Sequence, residues 1–147
     1  MAVYGLQIDF MNKLLMEYFG GKPDLSQKEL FIGLGLTQVG ARVNTDDFDE
    51  VFGGRPLGNY QRARVIFGKA ADSYILNANE VVFNTASEDW TDSNAQRYVE
   101  MIGIFNTMDY EDVKPLIVLR LPKSEEVLKG ETCIFNAGTI QLSLSDY

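Results

Sequence analysis

The chain has 147 residues, of which 46% are hydrophobic, as expected for one globular domain with its own core. Its 21 acidic and 13 basic residues give a net charge of −8, which repels phosphate backbones and argues against nucleic-acid binding. The single cysteine excludes an intrachain disulfide, and the lack of histidine removes the commonest general base and transition-metal ligand. We therefore expect neither enzyme activity nor a bound cofactor or small-molecule substrate.

The first predicted element is an amphipathic α-helix within residues 1–21. Large apolar side chains recur at every fourth position along one face: Leu6, Phe10, Leu14 and Tyr18. The pair Gly20–Gly21 and then Pro23 predict the end of this helix. Because an isolated helix of this length is marginal in water, we expect its apolar stripe to rest on the domain's own sheet or on a neighbouring subunit.

The next predicted element is a strand from Leu30 to Leu36, in which large aliphatic residues occupy every second position. Gly33 and Gly35 thin its second face, which is typical of a β-bulge or of a strand that another backbone approaches closely. This is the longest apolar run in the chain, and a bilayer-spanning helix needs about 20 such residues. We therefore expect no membrane contact.

Residues 38–58 predict a long acidic loop that carries Asp46, Asp47, Asp49 and Glu50. Connections this long are uncommon in compact domains and are usually functional or mobile. The carboxylates of this run could coordinate Ca²⁺. However, the spacing of an EF-hand is absent and acidic runs are usually solvated, so we predict no metal site.

Six further segments alternate between apolar and polar residues or are bounded by turn residues: 60–67, 80–84, 98–106, 116–121, 132–136 and 139–145. In the first of them, Arg62 and Arg64 share one face, where we expect them to reach solvent or a neighbouring carboxylate. The segments predict a single mainly-β domain over residues 1–147, an antiparallel β-sandwich or jelly roll of about seven or eight strands with one N-terminal helix. The expected core includes Tyr60, Phe83, Trp90, Phe105, Ile140 and Leu142.

Two functions other than assembly are consistent with the composition. Trp90, the only tryptophan, could form with the tyrosines the stacking platform of a carbohydrate-binding module. A buried core position is the better interpretation, because tryptophan contributes a large apolar area. The second of these functions is that of a hydrolase that uses a pair of carboxylates. No motif supports it.

Five short motifs follow one another along most of the chain: Gly58–Arg62, Val81–Ala86, Trp90, Gly103–Asn106 and Gly130–Ile140. In this order, after an opening helix and an apolar strand, they resemble a family of small tailed-bacteriophage virion proteins, often labelled tail-fibre or structural proteins. The resemblance covers nearly the whole chain. Asn84 stands where the family usually has proline, and Asn106 stands where it usually has aspartate.

The resemblance implies a structural component of the mature virion in the tail, neck, baseplate or fibre-attachment region, with capsid decoration as an alternative. Such a protein would be assembled in the host cytoplasm and would bind copies of itself and other virion proteins. The predicted helix and the acidic loop are the expected contact elements, through Leu6, Phe10, Leu14, Tyr18, Asp46, Asp47, Phe48, Asp49, Glu50 and Arg55.

Overall fold

The computed structural model describes residues 3–6, 29–37, 45–68, 74–111 and 113–143, and these ranges are mainly β. Nine strands occur there: β1 (Val3–Leu6), β2 (Leu30–Leu36), β3 (Ala63–Val65), β4 (Tyr74–Leu76), β5 (Val81–Val82), β6 (Val99–Phe105), β7 (Ile117–Glu125), β8 (Ile134–Phe135) and β9 (Gln141–Ser143). A 3₁₀ turn at Val51–Gly54 is the only helical element in these ranges, where no helix could span a membrane. The mainly-β, antiparallel class predicted from the sequence is confirmed.

Five strands form the main sheet, in the order β1-β7-β6-β2-β3, and every neighbouring pair is antiparallel. The central strand β6 is buried along almost its whole length. It pairs with β2 from Phe31 opposite Phe105 to Leu36 opposite Val99. Two smaller sheets, β4-β9 and β5-β8, have two strands each.

One face of the main sheet packs into a hydrophobic core. The buried cluster joins Ile32, Leu34, Ile102, Ile104 and Leu119 of the main sheet to Val81, Phe83, Trp90, Phe135 and Ile140 of the smaller sheets and their connections. Of the side chains expected in the core, Tyr60, Phe83, Trp90, Phe105 and Ile140 are at most 3% exposed, and Leu142 is half-buried against the cluster. Phe105 lies on the other face of the sheet, because it follows Ile104 in the same strand.

The N-terminal helix is not seen in the described residues. Val3–Leu6 form strand β1, in which Leu6 lies opposite Ile117 of β7, so the helix predicted for residues 1–21 is wrong over this range. The remainder of the predicted stripe, with Phe10, Leu14 and Tyr18, lies outside the described residues. A four-residue strand is too short to show a period, and its partner lies more than a hundred residues further along the chain.

The segment 45–58 of the predicted acidic loop lies against the main sheet. Residues 38–44 of that loop are outside the described ranges. The amide of Leu36 donates to the carbonyl of Asp49 at 2.8 Å, and Glu50 forms an isolated bridge with Gly35. Thr45, Glu50 and Val51 are buried. This part of the predicted loop is therefore packed against the sheet, although no regular strand forms in it.

Candidate functional site

The second face of the main sheet carries a trough where three glycines meet. Gly33 of β2 lies directly opposite Gly103 of β6, and Gly35 follows in β2. A Cβ atom at Gly33 would lie 2.6 Å from Oε2 of Glu50 and 2.8 Å from the Phe105 ring. The glycines therefore make room for side chains of the segment 45–58, mainly Phe48 and Glu50, and the approaching group is this chain's own loop.

Substituting Gly33 by alanine should lower the free energy of unfolding by about 1–3 kcal/mol, because the new methyl group displaces a buried carboxylate and ring. Gly68 provides the matched control, since a Cβ there would meet nothing closer than 3.7 Å and its backbone suits any residue. Urea denaturation of both variants measures the difference. Equal stability of Gly33→Ala and Gly68→Ala would contradict the close packing.

Glu50 and Arg62 form a buried ion pair above this trough, with side chains 6% and 2% exposed. The guanidinium donates from Nε to Oε2 at 2.9 Å and from Nη2 to Oε1 at 2.7 Å, a bidentate geometry. Its carbon Cζ lies 3.5 Å from the centre of the Phe105 ring. The pair joins the acidic segment to the residue just before β3.

Two further groups complete the cluster around this ion pair. The Tyr60 hydroxyl donates to Oε2 of Glu50 at 2.6 Å and accepts from the Leu34 amide at 2.9 Å. Burial and then the charge of Glu50 raise the pKa of Tyr60 well above its usual value, so the phenol remains neutral. Nη1 of Arg62 donates to the carbonyls of Thr107 and Asp109 at 2.9 and 2.8 Å.

The cluster acts as a structural clamp. Both oxygens of the Glu50 carboxylate accept hydrogen bonds, and every nitrogen of the Arg62 side chain donates one. Within the described ranges, no buried side-chain nitrogen or oxygen lacks a partner. Four parts of the chain are tied together in this way: β2, the segment 45–58, the start of β3 and the loop after β6.

An open cleft of about 800 Å³ lies beside the clamp. One wall is formed by Gly54, Pro56 and residues 59–62, the other by residues 108–111 and Val113, and Asn84 also lines the cleft. Its lining includes Pro56, Asn59, Gln61, Met108, Asp109, Tyr110, Glu111 and Val113. Arg62 also lies on the floor, with its charge already paired to Glu50. The exposed charges of the cleft are therefore the carboxylates of Asp109 and Glu111.

The residues of the predicted acidic loop have separate partners. Asp46 pairs with Lys114 at 2.7 Å, Asp49 pairs with Arg97, and Glu50 pairs with Arg62. Asp47 is exposed beside Asp46. The described residues contain no group of three or more carboxylate, thiol or imidazole side chains placed to hold a metal ion. The run is thus divided among three different cations.

The other predicted contact residues lie in different places. Phe48 is half-buried, and its ring packs edge-on against Phe105 with centroids 5.9 Å apart. Arg55 is exposed at the end of the 3₁₀ turn. Leu6 ends strand β1. Glu50 faces the interior of its own chain, so a partner protein cannot reach its carboxylate in this structure.

The segment 108–111 is not among the site residues predicted from the sequence, yet it forms most of one wall of the cleft. Its sequence offers only a weak signal, an aromatic residue between two acidic ones. Arg62 was expected to reach solvent or a carboxylate, and it contacts the carboxylate of Glu50, whereas Arg64 is exposed. No protein-family model, curated protein or solved structure matches this chain.

Proposed function

We propose that this chain is a structural component of a tailed-bacteriophage virion, located in the tail, neck, baseplate or fibre-attachment region. It acts through protein–protein contacts, with copies of itself and with other virion proteins, and not through chemistry. The ordered sequence motifs from Gly58 to Ile140 support the proposal by their resemblance to such proteins.

A role without catalysis is supported by the Glu50–Arg62 clamp, because its polar side-chain atoms already have hydrogen-bond partners. A general base or acid needs a lone pair or proton directed at a substrate. Here the carboxylate, the guanidinium and the Tyr60 hydroxyl are directed at one another and at backbone groups. The most elaborate polar cluster of the described structure therefore serves to fix the loop on the sheet.

The finer architecture that we propose is an antiparallel β-sandwich. The main sheet has one face in the core, the buried cluster includes Val81 and Phe135 of the β5-β8 sheet, and Leu142 of β9 packs against that cluster. Such a fold presents loops at its ends and sheet faces at its sides, which suits repeated contacts around a symmetry axis.

Trp90, the expected sugar-stacking platform of the carbohydrate-binding alternative, is buried. Trp90 is 3% exposed, its indole Nε1 donates to the Gly58 carbonyl at 2.8 Å, and its ring packs edge-on against Tyr60. A stacking platform for a sugar must expose its ring face. Trp90 therefore contributes to the core.

The proposal predicts that a phage whose copy of this gene carries an early stop codon fails to complete its particles. Assembly should stop at one defined stage, visible as a uniform incomplete particle by negative-stain electron microscopy. Wild-type protein supplied from a plasmid should restore complete particles, and the stop-codon version from the same plasmid is the control. Complete, infectious particles in the absence of the protein would overturn the proposal.

A further inference from the structure

The two walls of the cleft are held in fixed positions. Arg62 binds the carbonyls of Thr107 and Asp109, so it anchors the wall that contains residues 108–111 to the clamp. At the base, a Cβ atom at Gly54 would lie 2.9 Å from Cβ of Tyr110, and Gly54 has a φ of 82°. Glycine is therefore required where the walls touch. A site with fixed walls binds a ligand without a large ordering cost.

The electrostatics of the cleft favour a cation. The positive charge of Arg62 is neutralised by Glu50, with which it forms two hydrogen bonds. Asp109 and Glu111 are exposed, and neither forms an ion pair with the described residues. The net charge of −8 adds a long-range field of the same sign. An anionic ligand is repelled here.

The neutral groups of the cleft match a long basic side chain. Tyr110 lies between the two acidic residues and is 38% exposed, so its ring is available for a cation–π contact. Pro56, Met108 and Val113 offer apolar surface for the aliphatic stem of lysine or arginine. The side-chain carbonyls of amides on the facing wall, Asn59 and Gln61, add hydrogen-bond acceptors.

We infer that the cleft is the docking site for a basic segment of a partner protein. One arginine or lysine side chain of that segment lies on Tyr110, with its charged end between the carboxylates of Asp109 and Glu111. This inference rests on the proposed function in one respect, namely that the partner is a neighbouring virion protein. The binding chemistry itself depends only on the cleft.

A capped synthetic peptide containing arginines is the probe, and the same peptide with every arginine replaced by neutral citrulline is its control. Calorimetric titration at physiological salt should show binding of the arginine peptide only. The double variant Asp109→Asn/Glu111→Gln should weaken that binding about tenfold, since it removes both charges that face the cation. Tyr110→Ala should weaken it about two- to fivefold, as expected for loss of a cation–π contact.

The double variant Glu126→Gln/Glu131→Gln is the matched control, because it removes the same charge from two exposed residues outside the cleft. It should change the affinity by less than about twofold, since screened charges distant from the site contribute little. Thermal melts establish that all variants remain folded. An equal loss of affinity in both double variants would show that the peptide is attracted by net charge alone, and this would overturn the inference. Equal binding of the citrulline peptide, or no binding of the arginine peptide, would also overturn it.

The peptide titration and the stop-codon phage together distinguish a failure of this inference from a failure of the proposed function. If the peptide binds through the cleft but the stop-codon phage assembles normally, the virion role is wrong and the docking site stands. If the protein is essential for assembly but the peptide does not bind, the docking site is wrong and the virion role stands. Where both hold, Asp109→Asn/Glu111→Gln should reduce incorporation into particles, and the Glu126→Gln/Glu131→Gln control should not.

Discussion

Glu50→Gln should lower the free energy of unfolding by about 3–5 kcal/mol, because it leaves the Arg62 guanidinium buried without its counter-charge. The loss also weakens the hydrogen bond from Tyr60, whose hydroxyl is 2.6 Å from Oε2 of Glu50. Urea denaturation followed by circular dichroism gives the value. Because the clamp ties the segment 45–58 to β2 and β3, cleavage of this segment by a protease should also become faster.

Two further variants show whether the loss of stability comes from the Glu50–Arg62 clamp. Asp46→Asn weakens an exposed ion pair with Lys114, and surface pairs of this kind contribute little, so its unfolding midpoint should barely change. The double variant Glu50→Leu/Arg62→Met removes both charges and should be more stable than Glu50→Gln, because no unpaired charge is left in the interior. A Glu50→Gln protein as stable as the wild type would contradict the clamp.

Trp90→Ala should lower the free energy of unfolding by about 3–5 kcal/mol, as for other aromatic truncations in cores. The indole is 3% exposed, packs edge-on against Tyr60 at a centroid distance of 5.2 Å and donates a hydrogen bond to the carbonyl of Gly58. Alanine leaves a cavity and removes one of the two hydrogen bonds that this carbonyl accepts, the other coming from the Ser87 amide. Trp90→Phe keeps most of the apolar contact and loses the hydrogen bond, so we expect a cost nearer 1–2 kcal/mol.

The wild-type protein supplies an independent measurement for this prediction, because Trp90 is its only tryptophan. Its fluorescence emission in the folded state should be shifted to the blue and should move to longer wavelength on unfolding. An emission maximum typical of a solvated indole in the folded protein would contradict the burial of Trp90.

The strands that follow strict local patterns were predictable from the sequence. β2 has the predicted bounds because an aliphatic residue occupies every second position from Leu30 to Leu36. β6 lies within the predicted range 98–106 and ends one residue short of it at both ends. Strands β1 and β4 have only four and three residues, so neither shows an alternating apolar pattern in the sequence. Their conformation depends on pairing with the distant strands β7 and β9.

The clamp and the cleft depend on contacts that no local pattern encodes. An acidic run predicts solvent exposure, but Glu50 is buried because Gly33 of β2 and Gly54 leave space beside its carboxylate and Arg62 neutralises its charge. The two glycines of β2 predict a bulge or the close approach of another backbone. The structure has a register shift between Gly35 and Leu36, and the groups nearest the glycines include side chains of the segment 45–58, which only the fold could identify. The cleft unites residues of the segment 54–62 with residues 108–111 and Val113, and Arg62 ties these two distant parts of the chain together through the carbonyl of Asp109.

The virion role is tested most directly by electron cryomicroscopy of purified particles from a phage that encodes this chain. We expect symmetric density in the tail, neck, baseplate or fibre-attachment region into which the five-stranded sheet fits. Beside Tyr110, that density should continue into a basic segment of a neighbouring protein. A complete map of the particle in which every density belongs to other proteins, with this chain absent by mass spectrometry of the same sample, would contradict the account.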